Sequence, residues 1–191
     1  ACLISSGAFA QLTNTSFETW QNYSGVNIFS APISGEYPTG WQTTDSIIQY
    51  GTGPHTAVRE LTDICNGSNS VKLTSGSALG NLAPGALTNG KITGPATITG
   101  GNPYTQRSAF INGCYKYVPS GTDTGRVTAL LSKWNGTSRD TIAFAYAAPA
   151  SVPTMTNFQI PFVYQSANTP DTLLIMFASG RGVGATTAGS Y

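Results

Sequence analysis

Between Phe158 and Tyr164 apolar side chains recur at every second position: Phe158, Ile160, Phe162 and Tyr164, with Gln159, Pro161 and Val163 between them. A period of two predicts a strand with one buried face. The run "DTLLIMFAS", 171–179, is continuously apolar and predicts a strand covered on both faces. "VKLTS" at 71–75 and "TIAFAY" at 141–146 also read as strands, and no helical periodicity extends beyond two turns. Pro- and Gly-rich stretches at 31–40, 51–54, 84–103 and 119–125 separate these runs, with no tandem repeat and no linker rich enough to divide the chain. The pattern predicts an all-β chain, a two-sheet antiparallel β-sandwich.

Residues 110–146 extend the pattern into a predicted meander. "AFINGCYKYVP" leads through "SGTDTG" to "RVTALLSKW", and Asn135-Gly136 then leads to "DTIAFAY". Asn-Gly between two apolar-patterned runs signals a hairpin. Pairing across it sets Leu131, Ala129 and Val127 opposite Asp140, Ile142 and Phe144. Pairing across the preceding loop sets Tyr117 opposite Val127 and Tyr115 opposite Ala129. One face then carries Ile111, Tyr115, Tyr117, Val127, Ala129, Leu131, Ile142, Phe144 and Tyr146 as core. The other carries Lys116, Arg126, Thr128, Ser132, Trp134 and Thr141, either as a binding face or as an ordinary solvated one.

Composition narrows the class. The chain has 191 residues, 40% hydrophobic and 9% charged, with 22 glycines, the profile of an extracellular β-protein rather than a helical enzyme. Nine basic residues against eight acidic ones give a net charge of +1 and no basic stripe, so nucleic-acid binding is not expected. No run approaches the roughly 18 apolar residues of a membrane span. The opening "ACLISSGAFA" ends in Ala8-Phe9-Ala10, the A-x-A pattern of a signal-peptide cleavage site. Residues 1–10 therefore read as the C-terminal part of a signal peptide, and 11–191 as one domain that is secreted or held on the outer cell surface. Acylation of Cys2 is a weaker alternative. In an exported chain Cys65 and Cys114 can pair, but their positions in the sequence leave a disulfide and two separate thiols both open.

Candidate chemistry is sparse. The eight acidic residues offer no pair that reads as a glycosidase dyad. His55 is the only histidine, no G-x-S-x-G elbow is present, and a zinc site has too few ligands. No enzymatic activity is expected. Sugar recognition needs flat rings flanked by fixed hydrogen-bonding groups. Trp134, at the hairpin tip on the polar face, is the leading ring. Tyr104 and Arg107 lie in the loop entering the meander, and Lys116 and Arg126 belong to the polar row. Trp20 and Trp41 sit in apolar contexts and read as core.

Several stretches together resemble one family. "NTSFETW" at 14–20 and "EYPTGW" at 36–41 precede "GNPYTQR" at 101–107 and "GCYKYVPSGTDTG" at 113–125, which resemble G-x-P-[FY]-x-x-R-P and G-Y-Y-K-Y-x-P segments. "LSKWNGTSRDTIA" at 131–143 and "SANTPDTLLIMFAS" at 166–179 follow in order. The chain is similar to the carbohydrate-metabolism domain (PCMD) family of secreted or surface proteins of polysaccharide-using Gram-negative bacteria. Ser108 stands where that family has Pro, and Cys114 where it has Tyr. The resemblance implies a jelly-roll sandwich associated with glycan use and identifies no catalytic residue. It also implies one more strand beyond "AGSY", hence truncation at the C-terminus and an open edge beside residues 14–20. A structural calcium ion with Glu18 as a ligand goes with it. The leading reading is a non-catalytic, exported carbohydrate-binding or carbohydrate-associated module. A structural or adhesive surface sandwich is the alternative, and a glycoside hydrolase with an unrecognised site the third.

Overall fold

The computed structural model describes residues 2–3, 12–45, 53–78, 81–94, 97–182 and 188–191. It is an antiparallel all-β fold. Strands are numbered in chain order. The large sheet runs β17 (Val163–Tyr164), β15 (Arg139–Ala147), β14 (Arg126–Trp134), β18 (Thr172–Ala178), β9 (Ala86–Thr88), β4 (Gln42–Thr43), with β12 (Asn102–Pro103) also pairing β18. The narrow sheet is β1 (Cys2–Leu3), β13 (Phe110–Tyr117), β16 (Val152–Pro161). Four two-stranded ribbons surround them: β2 (Trp20–Val26) with β3 (Pro32–Pro38), β5 (Ala57–Glu60) with β6 (Ser70–Leu73), β7 (Gly76–Ala78) with β8 (Asn81–Ala83), and β10 (Lys91–Gly94) with β11 (Thr97–Thr99).

The core fills the space between the sheets. Val127, Ala129, Leu131, Ile142, Ala143, Ala145, Leu173, Ile175 and Phe177 line it from the large sheet. Ile111, Tyr117 and Ile160 line it from the narrow one. Phe17 and Trp41 close one end, their rings 5.2 Å apart edge to face, and Trp20 is half-buried against the same cluster. The alternation at 158–164 holds, with Ile160 and Phe162 buried and Phe158 and Tyr164 packed against the core. The run 171–179 forms an interior strand, with Leu173, Ile175 and Phe177 buried inward and Thr172 and Ser179 buried at its ends. Leu174 and Met176 are half-covered on the outer face.

Two pairings differ from those the sequence predicts. β13 and β14 do not form a hairpin. β13 pairs β16, and β14 pairs β15 and β18, so the loop 118–125 crosses from one sheet to the other. Asp123 fixes that crossing, its carboxylate accepting N–H bonds from Thr124 at 2.8 Å and Arg181 at 3.1 Å. Tyr117 is still buried, because an inward alternation does not specify which strand lies alongside.

The second difference is in register. Asn135 caps a four-residue loop, its side-chain oxygen accepting the Thr137 and Ser138 N–H groups, and the last pair is Trp134↔Arg139. Leu131 faces Ala143 while Ser132 faces Thr141, leaving Ile142 as an extra residue in β15. This bulge places Ile142 and Ala143 both in the core and reverses the alternation beyond them. Phe144 and Tyr146, expected inside, therefore stand on the outer face, 36% and 51% exposed.

The loop 61–69 covers the outer side of the narrow sheet. A disulfide joins Cys65 to Cys114, which is fully buried beneath it. Of the expected signal segment only Cys2–Leu3 is described, as a two-residue strand at the edge of β13, opposite Cys114 and Gly113. The remainder lies outside the described residues.

Candidate functional site

The sequence-predicted site residues do not all fall in one place. Trp134 is at the exposed tip of β14, 51% accessible. Its backbone N–H donates to Asp171 Oδ2 at 2.8 Å, and Arg139 Nη1 binds Asp171 Oδ1 at 2.7 Å. The Trp134 N–H, and then Arg139 and Thr172, hold the Asp171 carboxyl down at about 2.

Lys116 and Arg126 lie at the other end of the molecule. Arg126 is eight residues from Trp134 along β14, about 26 Å at 3.3 Å per residue. Lys116 Nζ pairs with Asp63 Oδ2 at 2.6 Å, and this bond raises its pKa. The ammonium groups of Lys72 and Lys116 lie 4.2 Å and 5.6 Å from the centre of the Tyr191 ring.

Arg107 and Tyr104 are structural anchors. The Arg107 guanidinium stacks 4.1 Å over the Tyr164 ring and donates to the carbonyls of Ser166 at 3.0 Å and Asn168 at 2.5 Å. The Tyr104 hydroxyl bonds that of Ser108, and its ring packs on the core. Arg107 thus holds the segment 164–168, and Tyr104 is tied to Ser108 and the core, so they do not present a free platform.

Glu18 faces the loop 66–69. Oε1 accepts the backbone N–H groups of Ser68 at 2.9 Å and Asn69 at 3.2 Å, and Oε2 accepts Asn69 Nδ2 at 2.9 Å. The Ser68 bond is the first cause of its lowered pKa. A calcium ion needs oxygen ligands, whereas three N–H donors surround this carboxylate, and they would have to be displaced first. No group of three His, Cys, Asp or Glu side chains converges among the described residues.

The bulge in β15 creates the arrangement that alternation misses. Phe144 and Tyr146 lie two residues apart, about 7 Å along the strand, on the outer face of the large sheet. Leu130 faces Phe144 and Thr128 faces Tyr146 from β14, and Val163 flanks Phe144 from β17. Alternation along β14 puts Ser132 and Trp134 on the same side, toward the hairpin tip. The result is an exposed pair of rings with Thr128, Thr141 and Arg139 on the same face.

The structure also assembles a cluster around the single histidine. Asp45 is fully buried, its Oδ1 accepting the Thr56 N–H at 2.5 Å and hydroxyl at 2.6 Å. Its Oδ2 makes no hydrogen bond and lies 3.5 Å from His55 Nδ1, which is also 3.5 Å from the Tyr23 hydroxyl. Burial, then the Asp45 charge, push the Tyr23 hydroxyl up to about 12. Both of these contacts fall on the same ring nitrogen, Nδ1. Nothing local in the sequence joins Asp45 to His55 and Tyr23, because the contact depends on how the β2–β3 ribbon packs.

No protein-family model matches the chain, and no curated protein matches it either.

Proposed function

We propose that the protein is a non-catalytic, exported carbohydrate-binding module and that the outer face of its large sheet receives the glycan. The observation carrying this reading is the exposed pair Phe144 and Tyr146, in line on β15 and bordered by hydroxyl groups. Sugar rings present C–H faces that pack on aromatic planes, while their hydroxyls need donors and acceptors beside them. Trp134 and Arg139 extend the surface at the hairpin tip. A flat face of this kind suits the side of a polysaccharide chain better than a single small sugar. The Cys65–Cys114 bond supports an oxidising, extracytoplasmic setting. A jelly-roll winding and membership of the carbohydrate-metabolism domain family are parts of the same proposal, resting on the motifs.

The apolar row Val163, Phe144, Leu130 favours a second reading, in which this face packs against another domain of a surface protein. Affinity electrophoresis through gels containing neutral or acidic soluble polysaccharides separates the two. The proposal expects retardation by at least one polysaccharide. It expects Tyr146→Ala and Phe144→Ala each to weaken retention at least tenfold while leaving the melting temperature within a few degrees. Absence of retardation across the panel, or retention indifferent to both substitutions, would count against a glycan face.

A further inference from the structure

Beyond β4, at the edge of the large sheet farthest from β17, three polar side chains from separate segments meet. Asp45 follows β4 by two residues, His55 precedes β5 by two, and Tyr23 stands in the middle of β2. His55 Nδ1 is the point they share, 3.5 Å from Asp45 Oδ2 and 3.5 Å from the Tyr23 hydroxyl. Gly35 makes the meeting possible. It is the cross-strand partner of Tyr23, and a Cβ built on it would lie 2.6 Å from the Tyr23 hydroxyl and 2.7 Å from His55 Cε1. Only glycine lets both rings lie this close to the ribbon backbone.

The two separations distinguish a hydrogen-bonded cluster from an ion site. Well-formed hydrogen bonds between such groups span about 2.7–3.2 Å, so both contacts are long, and a single Nδ1 proton serves only one of them. Two ligands about 2.1 Å from a tetrahedral ion stand about 3.4 Å apart, whereas neighbouring ligands of an octahedral ion stand about 3.0 Å apart. Both separations match the tetrahedral spacing. The carboxylate adds an independent sign. Asp45 is fully buried, and its Oδ2 has no hydrogen-bond partner among the described residues. The other oxygen is held by the Thr56 N–H at 2.5 Å and hydroxyl at 2.6 Å, and Thr44 Oγ1 braces that hydroxyl at 2.9 Å. Outer bonds of this kind orient a metal-binding carboxylate and leave its second oxygen aimed at the ion.

We propose that Asp45 Oδ2, His55 Nδ1 and the Tyr23 oxygen form a binding site for one tetrahedral divalent transition ion, zinc being the ion that fits. One nitrogen and two oxygens, with no thiolate, suit zinc rather than a soft ion. Calcium, whose longer bonds also match the spacing, takes oxygen ligands, and the shared ligand here is a nitrogen. Burial and then the Asp45 charge push the Tyr23 hydroxyl up to about 12, and the charge of a bound ion opposes both. Three protein ligands leave a fourth position for water, and His55, 43% exposed, brings the site within reach of solvent. The ion ties the β2–β3 ribbon to the segments that carry Asp45 and His55. The lone histidine of the sequence lacks zinc partners because the phenol and the buried carboxylate join it only through the fold. The site stands at the opposite edge of the large sheet from Phe144 and Tyr146 and does not depend on the glycan reading.

The test uses the whole chain, freed of metal with a chelator, and zinc chloride in isothermal titration calorimetry. Saturation at one zinc per chain is expected, with a rise in melting temperature. His55→Gln and Tyr23→Phe, each shown to be folded by circular dichroism, should both weaken zinc binding at least tenfold and lose that rise. Cobalt chloride should give the strong visible bands of a tetrahedral ion, and equimolar calcium chloride should leave them unchanged. No saturable zinc binding, or binding indifferent to His55→Gln, would overturn the site and leave a plain hydrogen-bonded cluster. The faint spectrum of octahedral cobalt, or displacement of the ion by calcium, would equally overturn it.

Discussion

At the scale of single residues, the sharpest electrostatic feature is Asp45. Its carboxylate is fully buried, yet only one oxygen has hydrogen-bond donors, and the nearest basic group to the other is His55 Nδ1 at 3.5 Å. Removing it strands the Thr56 N–H in a dry setting and leaves the Thr56 hydroxyl with Thr44 Oγ1, at 2.9 Å. Asp45→Ala should cost about 2–4 kcal/mol in chemical denaturation, in line with other buried hydrogen-bonded acids. A loss below about 0.5 kcal/mol would mean the cluster is not holding the β2–β3 ribbon in place. Asp171 is the pH-sensitive counterpart. Its folded pKa is depressed to about 2, against about 3.9 for an unfolded aspartate. Its contribution is therefore complete above about pH 4 and is lost as pH falls toward 2. The group is 41% exposed, so that contribution is at most about 1 kcal/mol. Asp171→Asn should melt slightly lower than wild type at pH 7, and the difference should close between pH 4 and pH 2. A gap that stays constant across that window would assign the effect to something other than the carboxylate's charge.

At the scale of elements, the loop 61–69 is stapled to the narrow sheet by the Cys65–Cys114 bond and by Glu18. Closing a loop of 49 residues stabilises by roughly 4 kcal/mol in the chain-entropy model. Replacing both cysteines with alanine should lower stability by roughly 2–4 kcal/mol and expose this loop to proteases, while glycan retention, a property of the opposite sheet, stays unchanged. Glycan binding that vanished with the disulfide, in a protein still folded by near-ultraviolet circular dichroism, would move the site to the narrow sheet. The strands themselves were largely legible. Val127, Ala129 and Leu131 are inward as alternation requires and 171–179 is a strand, whereas the run 158–164 divides between β16 of the narrow sheet and β17 of the large one. What alternation cannot encode is the neighbour. Tyr117 points inward whether β13 pairs with β14 or with β16, so the crossover at 118–125 left no trace in the pattern. The bulge at Ile142 is equally silent, since "TIAFAY" alternates just as well without it. That single extra residue moved Phe144 and Tyr146 from core to surface, and with them the candidate site.

At the scale of the whole molecule, the sandwich has two unlike outer faces. The narrow sheet is covered by the loop 61–69, whereas the large sheet presents its ring row on β15. Of the residues read from the sequence as sugar contacts, Trp134 alone lies toward that row. Tyr104 packs on the core and Arg107 stacks on Tyr164, and Lys116 and Arg126 lie at the far end. Phe29, 64% exposed, belongs to the β2–β3 ribbon and has no place in either site. Hydroxyl-radical footprinting of the intact protein with a polysaccharide that retards it reads out whether the glycan covers the rings of β15. Oxidation of Phe144, Tyr146 and Trp134 should slow severalfold on glycan binding while Phe29 reacts at an unchanged rate. Unaltered rates at Phe144 and Tyr146 with the glycan bound would contradict a glycan face there.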